Sequence, residues 1–365
     1  MDQQTLTDRW AAIGRGETLA PSDSSTSRNK NVDKPVLYRP LTDAVPDYVH
    51  WAQNPDERIY FGFNDLDTQV RGVAPGEMCL INGFSHSGKT LFLLQILVAN
   101  RDKVVVYFCP DEPRTLTLIK LACLVHKIPG KQLEQMIADN DKSGLEMLES
   151  TAREWFPKLA VFDQFMNLSD MEKSLIEVDT YLGKPSMMVF DYLDLLSCGE
   201  ETIPAKANTI KAFGKRHNIP LIVLHQSSRT AGADGKKQTI SSGAFGGEQQ
   251  ASHIVGVRRK KFEIESQIRE IVEKLDKSSA SERLLERLDM LRYDQQLHEN
   301  TVTINLVKCK RQDAHLLDDM DYEIEAGTGR LLRLAGPVPP SMTADNAKVE
   351  GDDSDNDYNM VLSDW

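Results

Sequence analysis

Eight consecutive residues, at positions 83–90, have the types and spacing of a loop that holds phosphate groups. They read Gly-Phe-Ser-His-Ser-Gly-Lys-Thr and fit the pattern G-x-x-x-x-G-K-[ST], after an apolar segment at 78–82 and before a helical pattern at 91–100. Backbone N–H groups in such a loop bind phosphate oxygens, while Lys89 neutralises charge on the β- and γ-phosphates and Thr90 binds Mg²⁺. The pattern therefore predicts a nucleoside triphosphate site. Its predicted ligands are Gly83, Ser85, His86, Ser87, Gly88, Lys89 and Thr90.

Acidic residues follow two other apolar segments, where a metal ligand and a catalytic base are expected. Asp191 follows the segment 187–190, while Asp111 and Glu112 come shortly after the segment 104–109. A carboxylate at the end of a neighbouring strand completes the Mg²⁺ shell, so Asp191 is predicted as a metal ligand together with the loop threonine. Hydrolysis also needs a base that orients water. We favour Glu112 for this role and keep Asp111 as the alternative.

These side chains need a scaffold that brings the ends of several strands together. Short apolar runs alternate with helical stretches, and several runs are continuous, which is typical of parallel strands covered on both faces. The sequence therefore predicts an α/β fold with a mainly parallel twisted sheet flanked by helices. The predicted strands lie at 78–82, 104–109, 159–162, 187–190, 221–224, 253–257 and 301–307.

A helical pattern with interleaved acids and bases interrupts this alternation at 262–298. Its apolar stripe is narrow, which favours an antiparallel helical hairpin that projects from the sheet. The alternative is a pair of core helices.

Composition and charge narrow the class of protein. The 365 residues are 40% hydrophobic, and 43 basic against 55 acidic residues give a net charge of −12. This excludes wholesale disorder and a strongly basic nucleic-acid-binding chain, although a local basic patch remains compatible with such binding. The longest strongly apolar stretch is too short to span a bilayer, and the first ten residues lack the pattern of a secretory signal. We expect a cytoplasmic protein with no membrane partner.

The chain divides into three parts. Residues 1–55 are polar and are expected to form an arm or linker, residues 56–338 are expected to form the core, and residues 339–365 are expected to form a disordered acidic tail. From 341 to the last residue the sequence has seven acids and one lysine, which amounts to half of the net charge. This tail is either a docking segment for a replication partner or a solubilising segment.

Three blocks carry a resemblance to a known family. These are Val-Phe-Asp-Tyr-Leu-Asp-Leu-Leu at 189–196, the segment 218–229 that contains Gln226, and Val-Lys-Cys-Lys-Arg at 307–311. Together with the phosphate loop they resemble the RecA-type core of the DnaB family of hexameric replicative helicases, over residues 60–334. Asp194 stands where that family usually has Gln. No room remains for the family's N-terminal helical domain, so the resemblance is to a minimal, phage-type form.

The resemblance implies roles for further residues. It implies that Gln226 senses the γ-phosphate, and that the segment 307–311 reaches the nucleotide of a neighbouring subunit. Lys310 stands where an arginine is expected, and we predict that Arg311 supplies the bidentate phosphate contact with Lys308 assisting. The Gly- and Ser-rich loop 228–247 corresponds to the loop that holds single-stranded DNA in the family. Its predicted DNA-binding residues are Arg229, Lys236 and Lys237.

The resulting expectation is an ATP-dependent DNA motor, a DnaB-like helicase that uses ATP and Mg²⁺, binds single-stranded DNA and forms a hexamer or filament. One alternative is a RecA-like recombination ATPase that forms filaments without unwinding. Another is a metal-dependent nuclease on the same core, with a second metal ion held by acids after the last predicted strand. Those acids are Asp318, Asp319, Asp321 and Glu323.

Overall fold

The computed structural model describes residues 40–197, 199–200, 202–226, 249–277 and 282–334. Within them the strands are β1 (Met78–Gly83), β2 (Val105–Phe108), β3 (Leu159–Phe162), β4 (Met187–Phe190), β5 (Leu221–Gln226), β6 (His253–Arg259), β7 (Thr301–Cys309), β8 (Met320–Ile324) and β9 (Leu331–Arg333). The α-helices are α1 (Ala44–Gln53), α2 (Asn64–Val70), α3 (Lys89–Ala99), α4 (Arg114–His126), α5 (Gly130–Ala138), α6 (Lys142–Ser150), α7 (Leu168–Tyr181), α8 (Ile203–His217), α9 (Lys260–Lys277) and α10 (Glu282–Leu297).

All the strands belong to one sheet, in the order β3-β2-β4-β5-β1-β6-β7-β8-β9. The first six in this order run parallel, and the last four are joined by antiparallel pairings. The parallel strands are continuous apolar runs because helices cover both of their faces. The predicted α/β fold with a mainly parallel sheet is therefore confirmed.

Each face of the sheet has its own apolar core, because successive strand residues point to opposite sides. On one face, helix α3 contributes Phe92 and Leu93 to a cluster with Ile81 of β1. On the other face, helix α8 contributes Ile210 and Phe213 to a second cluster. Helices on both faces make β1 a fully buried central strand, and its carboxyl end is a rigid base for the phosphate loop.

Local sequence signals explain where the helices on the second face begin. The side chain of Asn167 accepts a hydrogen bond from the backbone N–H of Asp170, and it caps α7. Thr202 caps α8 in the same way through the N–H of Ala205, and a proline lies in the first turn of that helix. These caps satisfy N–H groups that have no partner inside the helix.

Helices α9 and α10 pack against each other and lie between β6 and β7 in the chain. Ile264 and Ile271 of α9 meet Leu288 and Leu291 of α10 in a small cluster separate from the two main cores. The connection between the helices lies outside the described residues. This pairing agrees with the helical hairpin expected at 262–298.

The structure also contains elements that the sequence analysis did not predict. Helix α1 lies inside the segment expected to be an arm, and none of its residues is buried. Strands β8 and β9 extend the sheet past β7. Among the described helices none combines the length and apolar character needed to cross a bilayer. The predictions for residues 1–39 and for the tail at 339–365 concern residues outside those described.

Candidate functional site

The loop between β1 and α3 has the backbone that a phosphate site needs. A Cβ atom on Gly83 would collide with the carbonyl oxygen of Val257 and would lie 2.5 Å from Ser87 Oγ. Gly88 has a φ angle of +98°, in the left-handed region that favours glycine. Both glycines of the sequence pattern are therefore required by backbone geometry, and Ser85 and His86 lie in the loop between them.

Lys89, at the start of α3, is buried with its amine turned back into this loop. Its Nζ donates to the carbonyl oxygens of Gly83 at 2.9 Å and Phe84 at 2.6 Å. Burial lowers the pKa of Lys89 to about 8, although the nearby carboxylates of Asp191 and Asp194 act in the opposite direction. The ammonium group thus lies where the loop encloses an anion, and its two hydrogen bonds are to neutral carbonyl oxygens.

Asp191 directly follows β4 and is 2% exposed. Its Oδ2 accepts a hydrogen bond of 2.9 Å from the hydroxyl of Tyr107 on β2. Burial raises the pKa of Asp191 to about 6, and the hydrogen bond from Tyr107 only partly offsets this. Its other oxygen, Oδ1, is buried and has no hydrogen-bond partner among the described residues. A buried carboxylate oxygen left in this state suits a divalent cation or a water bound to one.

Two hydroxyl groups in the phosphate-loop segment are the other candidate oxygen ligands. The hydroxyl of Ser87 in the phosphate loop is also buried without a partner in the described part of the chain. Thr90, the predicted second metal ligand, follows Lys89 at the start of α3, and its side chain hydrogen-bonds to Tyr192. Thr90 and Asp191 would hold Mg²⁺, since both supply the oxygen ligands that this ion prefers.

Glu112 and Asp111, the two predicted bases, follow β2 and differ in their surroundings. Both Glu112 oxygens lie 2.6 Å from the Nζ of Lys120 on α4. Asp111 is exposed. Both acids are close enough to Asp191 to contribute to the rise of its pKa. Lys120 was not predicted from the sequence, because its contact with Glu112 depends on how α4 folds back after β2.

Gln226, the predicted phosphate sensor, is the last residue of β5. Strands β5 and β1 are paired so that Gln226 lies opposite Gly83, the first residue of the phosphate loop. The carboxylate of Asp194 accepts a hydrogen bond from the backbone N–H of Gln226. The same carboxylate lies 3.3 Å from Nδ1 of His225, whose side chain is fully buried. Asp194 therefore joins the segment after β4 to the end of β5.

Several contacts stabilise the ionised side chain of Asp194 and hold its backbone in place. Burial alone would raise its pKa, but the hydrogen bond and charge of His225 and the Gln226 N–H outweigh burial, so the pKa of Asp194 is lowered. Lys206 of α8 also donates to the backbone carbonyl of Asp194 at 2.6 Å. The sequence analysis noted Asp194 only as a departure from the family and did not predict its pairing with His225.

Arg311 lies next to the amino-terminal end of β1, whereas the phosphate loop follows the carboxyl end of that strand. Its guanidinium makes a bidentate ion pair with Glu77, at 2.6 and 2.7 Å, just before β1 begins. It also donates to the carbonyls of Val70 at 3.0 Å and Gly72 at 2.9 Å. The six residues of β1 place this ion pair about 20 Å from the phosphate loop, so Arg311 does not contact a nucleotide in its own chain. Its role toward a neighbouring subunit stays a prediction.

Two of the four acids considered for a second metal ion are held by cations instead. Asp319 pairs with Arg258, and Asp321 pairs with Lys260 and accepts a hydrogen bond from Thr303 at 2.7 Å. No group of three or more metal-ligating side chains is found within the residues that the structure covers. The predicted DNA-binding residues Arg229, Lys236 and Lys237 lie outside the described residues.

Comparisons with known proteins agree with this architecture. Residues 59–282 match the DnaB-like helicase C-terminal domain. The chain is 21% identical over 200 residues to the replicative DNA helicase DnaB of Haemophilus influenzae, covering 50% of this chain and 41% of that protein. It is 24% identical over 226 residues to a probable replicative DNA helicase of Guillardia theta, covering 59% and 37%. The chain thus spans about two fifths of the length of these relatives.

Two solved structures share the fold. The ATPase domain of G40P superposes with a TM-score of 0.60 at 17% identity, covering 82% of this chain and all of that one. A DnaB-like replicative helicase, from a study of its interactions with primase, superposes with a TM-score of 0.58 at 18% identity, covering 82% and 68%. The family match extends over more than half of the chain and includes the phosphate loop, Asp191 and Gln226. The chain belongs to the DnaB-like helicase C-terminal domain family.

Proposed function

We propose that this chain is the ATP-hydrolysing motor of a DNA helicase, which binds Mg-ATP at residues 83–90 and couples its hydrolysis to movement on single-stranded DNA. One observation carries the proposal: Lys89, Asp191 and Gln226 converge at the carboxyl ends of the neighbouring strands β4, β5 and β1. Ligands bind at this edge of open α/β sheets, and the three side chains match the charges of a nucleoside triphosphate with its metal.

The site suggests how each residue acts. Lys89 gives up its two loop carbonyls for the β- and γ-phosphate oxygens, which bind an ammonium more strongly than neutral carbonyls do. Thr90 and Asp191 hold Mg²⁺, which when bound neutralises charge on the phosphates. Gln226 lies beside the phosphate loop at the end of β5, so a change at the γ-phosphate would reach the predicted DNA loop at 228–247, which follows Gln226 in the sequence.

The water-orienting base is Asp111 in this proposal. Both oxygens of Glu112 are engaged by the ammonium of Lys120, so this carboxylate is less available to accept a hydrogen bond from water. Asp111 is exposed beside the same site and is free of such an ion pair in the structure. Asp111→Asn should therefore lower kcat about 100-fold or more, and Glu112→Gln should lower it much less.

We propose that the exposed Lys310, rather than Arg311 as the sequence predicted, reaches the nucleotide of a neighbouring copy, with Lys308 beside it. The guanidinium of Arg311 already has four hydrogen-bonding contacts inside its own chain, whereas Lys310 extends toward solvent. An active unit would then contain at least two copies of the chain.

The experiment is an ATPase assay with and without a single-stranded oligonucleotide, at several salt concentrations. We expect stimulation by the oligonucleotide that weakens as salt increases. Lys89→Ala and Asp191→Asn should abolish it, while Lys131→Ala, which removes an exposed lysine of α5, should not. An ATPase that ignores the oligonucleotide at every salt concentration, or that survives Lys89→Ala, contradicts the proposal. Unwinding of a forked duplex without strand exchange separates a helicase from a recombination ATPase.

A further inference from the structure

Four lysines form a group next to the amino-terminal ends of the parallel strands, on the opposite side of the sheet from the phosphate loop. We call them the lysine patch. Lys211 and Lys215 are one turn apart on α8, and Lys308 and Lys310 are two residues apart at the end of β7. The amine of Lys211 donates to the carbonyl of Gln250 and that of Lys308 to the adjacent carbonyl of Gln249. The two elements therefore bring their amines to the same short stretch of backbone.

Three of the four lysines in the patch have no acidic partner among the described residues. They are Lys211, Lys215 and Lys310, none of which forms an ion pair with a described carboxylate. Glu77 lies near the patch, but its carboxylate is committed to Arg311 and to His253, at 3.2 Å from Nε2.

The amines of the patch repel one another. Burial lowers the pKa of Lys211, and the charges of Lys310, Lys215 and Lys308 lower it further. A concentration of like charge in a chain with a net charge of −12 costs free energy unless an anion covers it.

The sequence contains a segment whose charge is complementary to the patch. Residues 345–364 contain seven acids and one lysine, and four aspartates lie at 352, 353, 355 and 357. This segment therefore has a net charge of −6. Seven carboxylates are more than enough to neutralise four ammonium groups, so charge favours this segment as the occupant.

The end of the described chain lies within reach of the patch. The backbone N–H of Leu334 donates to the carbonyl of Asp321 at 3.0 Å, and Asp321 is paired with Thr303 of β7. Lys310 lies seven residues beyond Thr303 in the direction of β7, and β7 is two strand spacings from β9. The distance from Leu334 to Lys310 is therefore about 25 Å. The eighteen residues from Leu334 to Asp352 span at most about 60 Å when extended. Strand β9 also runs toward the patch, because it is antiparallel to β8 and parallel to β7.

We propose that the acidic segment 345–364 docks on the lysine patch of its own chain. Docked carboxylates occupy the same amines that suit phosphate groups, so a polyanion that binds at the lysine patch must displace the segment first. Since contact between the segment and the patch is measured directly, the proposal stands or falls independently of the ATPase assignment.

The test is zero-length cross-linking of the full chain without nucleotide or nucleic acid. A carbodiimide activates a carboxylate, and an amine in contact with it displaces the urea by-product to form an amide. At 50 mM NaCl we expect amides between residues 345–364 and the lysine patch, in a product of monomer mass. Mass spectrometry should find at least about fivefold fewer of them at 500 mM NaCl, where the Debye length falls to about 4 Å. Exposed Lys131 and Lys142 serve as comparison amines.

Two sets of charge variants complete the test. Neutralising the four aspartates (D352N, D353N, D355N and D357N) should remove most of the amides. Lys211→Gln with Lys215→Gln should reduce the amides to Lys308 and Lys310, whereas Lys131→Gln with Lys142→Gln changes the net charge equally and should leave them. The urea midpoint of each variant shows that it has folded. The proposal is overturned if Lys131 and Lys142 cross-link as often as the patch, if the product is a covalent dimer, or if no amide to the patch forms.

Discussion

Replacement of Asp191 by asparagine is expected to stabilise the protein in the absence of nucleotide while it removes the metal site. Asn has nearly the same shape and keeps an oxygen that accepts the hydrogen bond from Tyr107. It carries no charge, however, and burial of an uncompensated charge is what raises the pKa of Asp191 to about 6. A residue kept for function at the expense of stability behaves in this way.

The magnitude follows from the shift in pKa. The pKa of Asp191 rises from 3.8 to about 6, and each unit corresponds to about 1.4 kcal/mol, so ionisation in the folded state costs about 3 kcal/mol. The folded chain binds the proton more tightly than the unfolded chain, so the free energy of unfolding falls as pH rises from 3.8 to 6 and then levels off. The Asp191→Asn variant does not lose stability over this pH range, because its side chain stays neutral. Its advantage should be about 3 kcal/mol at pH 7.5 and about half of that at pH 5.

The assay is urea unfolding of the two proteins at pH 5 and pH 7.5, without Mg²⁺ or nucleotide. The control is Asp179→Asn, which removes an exposed carboxylate near the end of α7 and should change the free energy of unfolding by less than about 0.5 kcal/mol. If Asp191→Asn is no more stable than the parent at pH 7.5, or if its advantage is the same at both pH values, the reasoning from burial is wrong.

Three further variants test contacts around the site. Gly83→Ala should lower the free energy of unfolding by about 2 kcal/mol or more in urea, since its Cβ would overlap a carbonyl oxygen of the next strand, and an unchanged midpoint would contradict this. Lys120→Met should partly restore kcat in the Asp111→Asn background, because it frees both oxygens of Glu112 to orient water, and no restoration would show that the ion pair is not what keeps Glu112 from this role. Asp194→Asn should weaken the hold on His225 and lower the free energy of unfolding at neutral pH. The loss should disappear in acid, where Asp194 is protonated and both proteins are neutral at this position, and a loss that persists there would contradict the assignment of charge.

The residues that follow directly from the sequence are those fixed by chain order. Lys89 is adjacent to its own loop, Asp191 directly ends a strand, and Gln226 ends another. The carboxyl ends of neighbouring parallel strands lie on the same side of the sheet. A phosphate-loop motif and an apolar run that ends in a polar residue are therefore enough to predict that these residues lie close together. The fold class was predictable for the same reason, because continuous apolar runs between helices indicate buried parallel strands.

Contacts between side chains from separate elements were not predictable in this way. Lys120 reaches Glu112 only because α4 returns over the end of β2, and Arg311 reaches Glu77 only because β7 runs antiparallel to β6 beside β1. Neither contact leaves a periodic signal in the sequence. Strands β8 and β9 were missed as well, since they lie at the edge of the sheet and have an exposed face.

The departure at Asp194 is explained by what surrounds it. A carboxylate at this position would be costly beside a buried strand end, yet it accepts the N–H of Gln226 and faces the ring of His225. A glutamine, which the family usually has, would meet these donors without a charge. Asp194 is therefore paired with His225, the residue directly before Gln226. This pair connects the segment after β4, which begins with the predicted metal ligand Asp191, to the end of β5, where the predicted sensor Gln226 lies. Under the proposed function, a change of charge at the phosphates would act on both strand ends through the Asp194 carboxylate.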